Sequence, residues 1–491
     1  MSSVDPFASA TELLAALRAG HVTSSDLTEL YIRRIERHDG RLNAVPVRDF
    51  TRAREQARAA DQGAARGRGG ALAGLPMTIK ESFNVAGLPT TAGVPDWSGF
   101  VSQHDAPAVA RTRAAGAVLL GKTNVPPMLA DWQSANPIHG RTNNPWDLGR
   151  TPGGSSGGSA AAIAAGLSAL EVGSDIGGSI RVPAAFCGVY GHRPSETLLP
   201  RSGQFPMPPM PNSVGLMGVQ GPLARSAEDL ELALSVLAGP EVGEDVAWRV
   251  TLPRPRHERL SDFRVAVLPA IPWLPVDDEI VVAQQELASR LGRLGATVKE
   301  AQPDLLGDHR SHHHLYRSLL SAMTSARVDE EARRARIEMW RKPDDEFSRA
   351  HLRGLTGAPG DFVLWGAQRE MYRQAWRAFF RDWDVVLAPA MNVLAYPHIE
   401  RAWPMDDSDL TLTFDVNGRT VPYLHGLVYP SVSTVAGQPA TAFPLGISRG
   451  GLPVGLQAIG PYLEDLTPIR FAALVAREVG GFRKPAGYDE S

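Results

Sequence analysis

Two serine clusters and one lysine carry the residue types in this chain that could perform chemistry. Ser155 lies between two glycine pairs in TPGGSSGGS, and Ser179 follows two glycines in GSDIGGSIR. Glycines let the backbone approach another group closely and let successive N–H groups point into one concave surface, which suits an anion or an oxyanion. Because apolar, helix-compatible residues follow the first cluster at once, the stretch is interpreted as a built site rather than a solvated linker.

A lysine at the end of a short apolar segment is the candidate base. Residues 75–80, LPMTIK, are typical of a strand that ends at Lys80. Burial removes the hydration of an ammonium group, so the pKa of such a lysine falls from about 10.4 towards neutrality and the amine can accept a proton. Lys122 is the alternative, but its neighbour Gly121 indicates an exposed turn. Lys80 therefore ranks above Lys122.

The serines have no obvious histidine partner. Between Lys80 and Ser179 the sequence contains only His104 and His139, and neither has a matching carboxylate signature. This pattern disfavours a Ser/His/Asp triad. A serine hydroxyl still needs a base, and Ser155, Ser179 and a desolvated lysine together would supply a proton relay without an imidazole.

The elements that must position these residues are those of an α/β protein. The spacing of apolar residues predicts, in chain order, two amphipathic helices between 9 and 41, a helix over 51–68, a helix followed by a strand over 108–123, a helix over about 158–170 with a strand over 171–174, a βαβ-like unit over 263–299, a helix over 362–380, a strand over 383–389 and an irregular segment over 396–428.

The amino-acid composition excludes several classes of function and of site. Hydrophobic residues make up 43% of the chain and charged residues 21%, with a net charge of −3, so no basic excess exists to attract nucleic acid. The single cysteine, Cys187, excludes an intramolecular disulfide and a thiolate-only metal site. The first twenty residues do not resemble a secretory signal, and no apolar run is long enough to cross a bilayer. The expectation is a cytoplasmic protein without nucleic-acid or membrane partners.

With these motifs in place, the chain resembles the amidase signature family. The matching segments are MTIKESFNVAGLPTTAG, GKTNVP, NPWD, GGSSGGSAAAIAAG, GSDIGGSIRVPAAFCGVYGHRPS and GPLARSAEDLELALSVLAG. The similarity is close over about 72–239, returns near the C-terminus at STVAGQPATAFPLGISRGGLPVGLQAIGP, and is weak between about 241 and 381.

The resemblance implies a fold: a large mixed, twisted β-sheet sandwiched between α-helices. It also implies one amidase domain over 1–491. Its expected parts are an N-terminal helical segment (1–70), the signature core (72–239), a variable region that determines the substrate (240–428) and a C-terminal return to the core (429–491).

The resemblance also implies roles for individual residues. Lys80 corresponds to the family's lysine, Ser155 to its cis-peptide serine and Ser179 to its nucleophile. The remaining implied site residues are the oxyanion-hole N–H groups of Ile176, Gly177, Gly178 and Ser179, the supporting residues Ser156, Asp175 and Arg181, and the substrate contacts Leu129, Ala130, Trp132, Phe205, Met207 and Met210.

The implied activity is hydrolysis of the C–N bond of a linear, apolar or aryl small-molecule amide through an acyl-enzyme. It needs no metal and no organic cofactor, and the expected assembly is a monomer or homodimer. Two alternatives remain open: carbamate or ester hydrolysis at the same site, and the glutaminase-like component of a tRNA-dependent amidotransferase, its A subunit. A catalytically dead binding protein is disfavoured because all three triad positions are present.

Two further clusters are interpreted as structural. The histidines between His309 and His314 are assigned to a surface or substrate-entrance segment, because consecutive histidines cannot all face one metal ion. Cys187 is assigned to the core, although Glu81, Lys80 and Cys187 are the residue types of a nitrilase-like site.

Overall fold

The computed structural model describes residues 4–67, 69–206 and 215–489. Within them the α-helices are α1 (Ala10–Arg18), α2 (Ser24–Leu42), α3 (Phe50–Ala64), α4 (Pro107–Ala114), α5 (Gly157–Ala164), α6 (Arg181–Cys187), α7 (Ala227–Leu237), α8 (Asp278–Arg293), α9 (Arg310–Thr324), α10 (Glu330–Trp340), α11 (Glu346–Thr356), α12 (Pro359–Phe379), α13 (Val428–Thr434) and α14 (Leu466–Val479).

The strands form one large sheet and two short two-stranded sheets. They are β1 (Val47–Arg48), β2 (Pro76–Lys80), β3 (Val118–Thr123), β4 (Ala135–Asn136), β5 (Gly140–Arg141), β6 (Glu171–Asp175), β7 (Tyr190–Arg193), β8 (Val219–Ala224), β9 (Arg264–Val267), β10 (Thr297–Glu300), β11 (Val385–Pro389), β12 (Thr413–Val416), β13 (Arg419–Pro422), β14 (Ala440–Ile447) and β15 (Pro453–Ile459). The large sheet has eleven strands in the order β1-β3-β2-β6-β8-β7-β14-β15-β11-β9-β10.

The large sheet is mixed, and its parallel part brings the chemical residues together. Strand β2 pairs in parallel with both β3 and β6, with Thr78 opposite Glu171. Parallel neighbours present their carboxyl ends at the same edge of the sheet. Lys80 at the end of β2 therefore lies beside the end of β6, from which the Asp175–Ser179 segment continues.

Helices cover both faces of the sheet. Adjacent residues Val265 and Ala266 on β9 belong to different apolar clusters, as do Val385 and Val386 on β11. Successive side chains of a strand point to opposite faces, so the two clusters are the two sides of the sheet. The first cluster includes residues of α2, α7, α8 and α14, and the second includes residues of α9, α12 and α13. The predicted fold class is confirmed.

Most predicted elements are present, but the helix after the first serine cluster is shorter than expected. Helix α5 ends at Ala164, and Gly166 follows with a φ of +67°. A side chain on Gly166 would lie 3.0 Å from the ring of Phe7. The chain turns here through a left-handed glycine, so the run of small apolar residues cannot continue as helix to residue 170.

The segment over 396–428 is more regular than predicted. It contains the hairpin β12–β13, in which Phe414 pairs with Val421, and it ends in a short 3₁₀-helix over Tyr423–Leu427. Among the helices that the structure describes, none combines the length and apolar character needed to cross a membrane.

Candidate active site

Lys80 is fully buried and is surrounded by hydroxyl groups. Its Nζ lies 2.8 Å from Ser155 Oγ, 2.9 Å from Ser156 Oγ and 3.0 Å from Ser174 Oγ. Residues 76–80 form an entirely buried strand, as the apolar segment before Lys80 predicted. A neutral amine has two N–H donors and one lone pair, so one of these hydroxyls can donate to Nζ while the amine donates to others.

Burial lowers the pKa of Lys80 to about 7. Desolvation penalises the ammonium, and the negative charges of Asp175 and Glu171 act in the opposite direction without cancelling it. A substantial fraction of the amine is therefore neutral near neutral pH, which a proton acceptor requires.

Ser155 lies at a tightly packed entrance to helix α5. The Gly154–Ser155 peptide bond is cis, and Ser155 is buried. A side chain on Gly154 would lie 2.5 Å from the backbone oxygen of Asp131, so only glycine fits there. The backbone N–H of Ser156 donates to the carbonyl of Ser179 over 3.1 Å. This bond joins the two serine segments directly.

Ser179 lies in the loop between β6 and α6, at the end of a cluster of backbone N–H groups. Its hydroxyl makes no hydrogen bond to any other residue that the structure describes. Within the described part of the chain, the N–H groups of Ile176, Gly177 and Ser179 also have no acceptor. Unpaired backbone donors at a buried loop are costly unless a ligand or water satisfies them, so this loop suits a developing oxyanion.

The N–H of Gly178 differs from the expectation for the oxyanion hole. It donates to Asp175 Oδ1 over 3.0 Å, and Ile180 N–H donates to Asp175 Oδ2 over 3.1 Å. The carboxylate thus fixes the loop from within. The donors left open to a ligand are those of Ile176, Gly177 and Ser179.

Arg181 holds the Asp175 carboxylate in its charged form. Both residues are buried, and Arg181 Nη2 lies 2.9 Å from Asp175 Oδ1. Burial alone would raise the pKa of Asp175, but the charge and hydrogen bonds of Arg181, with the charge of Arg193, hold it well below its usual range. Arg181 also donates to Gln457 Oε1 over 2.8 Å, which links the loop to β15. These contacts agree with a supporting position for both residues.

The residues expected to contact substrate lie in two segments. Leu129 is partly exposed, Ala130 is exposed and Trp132 is buried. The indole Nε1–H of Trp132 donates to the carbonyl of Gly177 over 3.0 Å, so this side chain contacts the loop before Ser179. Phe205 is partly exposed, and its ring centroid lies 6.4 Å from that of Trp97. Met207 and Met210 lie outside the described residues.

The prediction of an exposed Lys122 is wrong. Its side chain is fully buried, lies 4.0 Å from Glu81 Oε1 and donates to the carbonyl of Pro89. Burial lowers the pKa of Lys122 to about 8. Glu81 accepts N–H bonds from Thr91 and Ala92, which anchors the turn after β2. The pair is thus occupied in a structural role, although its lysine is as deeply buried as Lys80.

The prediction of a surface segment is wrong for three of the four histidines in the cluster, while His314 is partly exposed. The alternative assignment, to a substrate entrance, stays a prediction. His309, His312 and His313 are buried, and burial lowers the pKa of each, to about 4 for His309 and about 3 for His312. The described residues contain no group of three or more His, Cys, Asp or Glu side chains placed to hold a metal ion. Cys187 is a packed core thiol, as predicted, and its Sγ lies 3.4 Å from the carbonyl of Pro152.

Two site residues escaped the sequence interpretation. Ser174 supplies a third hydroxyl to Lys80, and its position one residue before Asp175 at the end of β6 could have indicated this. Tyr316 on α9 donates its hydroxyl to the carbonyl of Ile176 over 3.0 Å. No motif marks Tyr316, because it lies 140 residues away in the segment of weak resemblance.

Comparison with known proteins gives consistent results. A family model described as Amidase matches residues 26–467. The indoleacetamide hydrolase of Bradyrhizobium diazoefficiens is 32% identical, with 96% of this chain and 86% of that protein covered. In Anaeromyxobacter sp. strain K, the A subunit of glutamyl-tRNA(Gln) amidotransferase is 31% identical, with 96% of each chain covered. The solved structure of a bacterial aryl acylamidase of the amidase signature family superposes with a TM-score of 0.80 at 25% identity, covering 96% of both chains.

Proposed function

Starting from the fact that this chain belongs to the amidase family, and is a hydrolase of C–N bonds other than peptide bonds, we propose that it cleaves linear, apolar or aryl amides through an acyl-enzyme on Ser179. The observation that carries the proposal is the buried Lys80 amine, 2.8 Å from the hydroxyl of Ser155. A lysine with a pKa of about 7 in contact with a buried serine is the arrangement that a histidine-free proton relay needs.

In the proposed acylation step, Ser179 Oγ attacks the amide carbonyl carbon. Its proton passes to Ser155 Oγ as the Ser155 proton passes to neutral Lys80. The N–H groups of Ile176, Gly177 and Ser179 hold the oxyanion, a contribution of about 3 to 4 kcal/mol per donor in comparable sites. The same relay returns the proton to the leaving nitrogen as the C–N bond breaks.

In the proposed deacylation step, a water attacks the acyl carbon of the ester on Ser179. The water gives one proton to Ser155 and Lys80, and the relay returns a proton to Ser179 Oγ as the ester bond breaks. The carboxylic acid leaves and the starting enzyme is restored. Ser156 and Ser174 keep the Lys80 amine in place through both steps, and Asp175 and Arg181 keep the loop rigid.

The proposed substrate class rests on the names of the relatives and on an aromatic pair that includes Phe205, a predicted substrate contact. The partly exposed rings of Phe205 and Trp97 lie edge to face and offer an apolar surface. One relative is named for indoleacetamide hydrolysis, and one solved neighbour is an aryl acylamidase. Carbamates and esters present the same carbonyl to Ser179, so urethane or ester hydrolysis is the alternative at this site. The substrate contacts stay predictions: Leu129, Ala130, Trp132, Phe205, Met207 and Met210.

The test is detection of the acyl-enzyme by mass spectrometry. Matched anilide, carbamate and ester substrates that share one arylacyl group are mixed with the protein and quenched. The expected result is one acyl mass on the peptide that contains Ser179, and none in Ser179→Ala. Cys187→Ala is the control and should retain full turnover. An adduct on Cys187, or turnover by Ser179→Ala, would overturn the proposal.

The glutaminase-like component of an amidotransferase is the second candidate, because one such protein is 31% identical over nearly the whole chain. Such a protein depends on the other members of its complex for its reaction. Turnover of an aryl amide by the purified chain, with no change when those members are added, would decide for the independent amidase. A monomeric or homodimeric assembly in the cytoplasm, and the division of one domain at residues 70, 239 and 428, stay predictions.

A further inference from the structure

Each of the three carbonyl groups in the loop before Ser179 accepts a hydrogen bond from a different donor. The carbonyl of Ile176 accepts from Tyr316 Oη over 3.0 Å, and that of Gly177 accepts from Trp132 Nε1 over 3.0 Å. The carbonyl of Gly178 accepts from the N–H of Val182 over 2.7 Å. Three successive carbonyls of one loop are thus satisfied by three different elements.

These bonds determine where the loop N–H groups point. The peptide bonds between Ile176 and Ser179 are trans, and in a trans peptide the C=O and N–H of one plane point in opposite directions. The hydrogen bond from Tyr316 to the carbonyl of Ile176 therefore makes the N–H of Gly177 point away from Tyr316. In the same way, the hydrogen bond from Val182 to the carbonyl of Gly178 makes the N–H of Ser179 point away from Val182.

The three planes differ in how many contacts hold them. The Gly177–Gly178 plane has two, since Trp132 binds its carbonyl and Asp175 binds its N–H. The Gly178–Ser179 plane is held by backbone at the first turn of α6. The Ile176–Gly177 plane has an open N–H, and among the described residues the side chain of Tyr316 supplies the one hydrogen bond to its carbonyl.

Tyr316 is fixed well enough to hold that plane. It is fully buried on α9, and its ring stacks with that of His313 at 5.7 Å. A side chain on Gly177 would lie 3.1 Å from the Tyr316 hydroxyl oxygen and 2.9 Å from Leu427. Gly177 therefore packs closely between α9 and the segment before α13, and a side chain there would displace Leu427 and the Tyr316 hydroxyl. A glycine without this contact would be free to rotate its peptide plane.

We propose that Tyr316 is a positioning residue for the oxyanion hole, whose hydroxyl keeps the N–H of Gly177 directed at the developing charge. This inference rests on the proposed function, because it needs an oxyanion formed by attack of Ser179. If it is right, helix α9 affects kcat through Tyr316, although α9 lies in the segment that resembles the family only weakly. Tyr316 itself touches no reacting atom.

The test is Tyr316→Phe, which removes one oxygen and keeps the ring. The variant loses one neutral hydrogen bond, and this bond positions an N–H that binds charge only in the transition state. We therefore expect kcat to fall about tenfold and KM to stay within about twofold. The affinity for a phenylethyl trifluoromethyl ketone, which forms an oxyanion adduct with a serine, should fall by the same factor. The affinity for the matching methyl ketone, which forms no adduct, should stay unchanged.

Tyr31→Phe is the matched control. Tyr31 is also fully buried, and its hydroxyl donates to the backbone carbonyl of Pro6 over 2.9 Å, far from this loop. Tyr31→Phe should keep the kcat and KM of the wild type, and its melting temperature should be similar to that of Tyr316→Phe. The ratio of the two ketone affinities reports only folded molecules, so a partly unfolded Tyr316→Phe preparation still gives a result.

Two outcomes would overturn the inference. One is an unchanged affinity ratio and kcat in Tyr316→Phe. The other is an equal loss of affinity for both ketones, which would indicate a general structural role. Ser179→Ala separates this inference from the proposed function: if that variant keeps turnover and binds the trifluoromethyl ketone normally, the nucleophile assignment itself fails.

Discussion

The amine of Lys80 is the residue whose protonation controls the proposed chemistry. Burial works against its charge, while Asp175 and Glu171 favour the charge. Desolvation is the larger of the two effects, and the pKa of Lys80 is about 7. Three hydroxyls surround the amine, and these neutral dipoles satisfy it as a base without binding it as an ion pair would.

A pH profile tests this balance. The relay needs neutral Lys80, so kcat/KM for an aryl amide should fall about tenfold per pH unit below the pKa of about 7 and level off above it. Lys80→Ala should lower kcat by about 10² to 10⁴-fold and lose this acidic limb. A wild-type profile that is flat from about pH 5 to about pH 9 would contradict a basic Lys80.

The same pKa predicts a pH-dependent stability. The pKa of Lys80 is about 7 in the folded protein against a model value of 10.5, so between these values the unfolded chain binds one more proton. Folded-state stability attributable to Lys80 therefore rises with pH across this window and is constant below it. Urea unfolding of wild type and Lys80→Met should diverge by about 2 kcal/mol between pH 7 and pH 9, with the wild type gaining.

The sequence singled out Lys80, Ser155 and Ser179 because they lie in short motifs, and the structure brings the segments that carry them together. Their catalytic roles stay predictions. The sequence interpretation misjudged Lys122, because the burial of a lysine after a glycine depends on a distant partner, Glu81, in the turn after β2. Tyr316 was beyond reach for a similar reason: its hydroxyl acts across 140 residues of chain, and nothing local to α9 marks it.

At the scale of elements, the position of Ser155 depends on how closely α5 approaches the chain after β3. Gly158, at the second position of α5, donates its N–H to the carbonyl of Asn124 over 3.3 Å. A side chain there would lie 2.4 Å from Asn124 N and 2.7 Å from Asn124 O. These are backbone atoms, which cannot move aside without shifting the whole segment.

Gly158→Ala should therefore displace α5 and with it Ser155. Overpacking of this kind costs about 1 to 3 kcal/mol of folding stability. We also expect kcat to fall at least about tenfold, because the contact between Ser155 and Lys80 lengthens. Thermal melts and steady-state kinetics measure both effects.

Gly366→Ala is the control, since Gly366 lies within α12 and a side chain there would meet nothing within 4 Å. That change should stabilise the protein by up to about 1 kcal/mol without altering kcat. Equal stability and equal kcat in the two variants would show that α5 accommodates a side chain at residue 158 without displacing Ser155.

The sheet was more predictable than its loops. Apolar runs that end in turns predicted β2, β9 and β11, because an apolar run that is too short for a helix and bounded by turn residues favours a buried strand. The hairpin β12–β13 was missed although its signal is present: exposed and buried residues alternate along Thr413–Val416, and Asn417 and Gly418, both with positive φ, form the two-residue turn. Strand order in the eleven-stranded sheet depends on pairing between distant segments, and nothing in the sequence predicted it. The family resemblance implied only that the sheet is large, mixed and twisted.

At the scale of the whole molecule, the last residues that the structure describes pack against helix α2. Tyr488 is buried against α2: the Arg41 guanidinium lies 4.2 Å from its ring centroid, and the His38 ring lies at 5.4 Å. Arg34 donates to the carbonyl of Tyr488 over 2.9 Å and to the carbonyl of Gly166 over 2.8 Å. The last residues are thereby tied to the segment that ends α5.

Tyr488→Ala should consequently destabilise the fold by about 3 kcal/mol, the usual scale for removing a buried aromatic ring. Tyr488→Phe keeps the ring and should stay within about 1 kcal/mol of the wild type. Urea unfolding of the full chain gives both values. If the two variants prove equally stable, the C-terminal residues do not contribute to the cooperative unit.

The single cysteine makes this molecule convenient to label at a chosen place. Cys187 is fully buried, and burial raises the pKa of its thiol well above the ordinary value, so the native protein offers no reactive sulfur to a maleimide or a disulfide reagent. A cysteine introduced at an exposed position would therefore take a fluorescent or spin label alone, with the natural residue left in place. Slow labelling of Cys187 itself would time the opening of the core around α6.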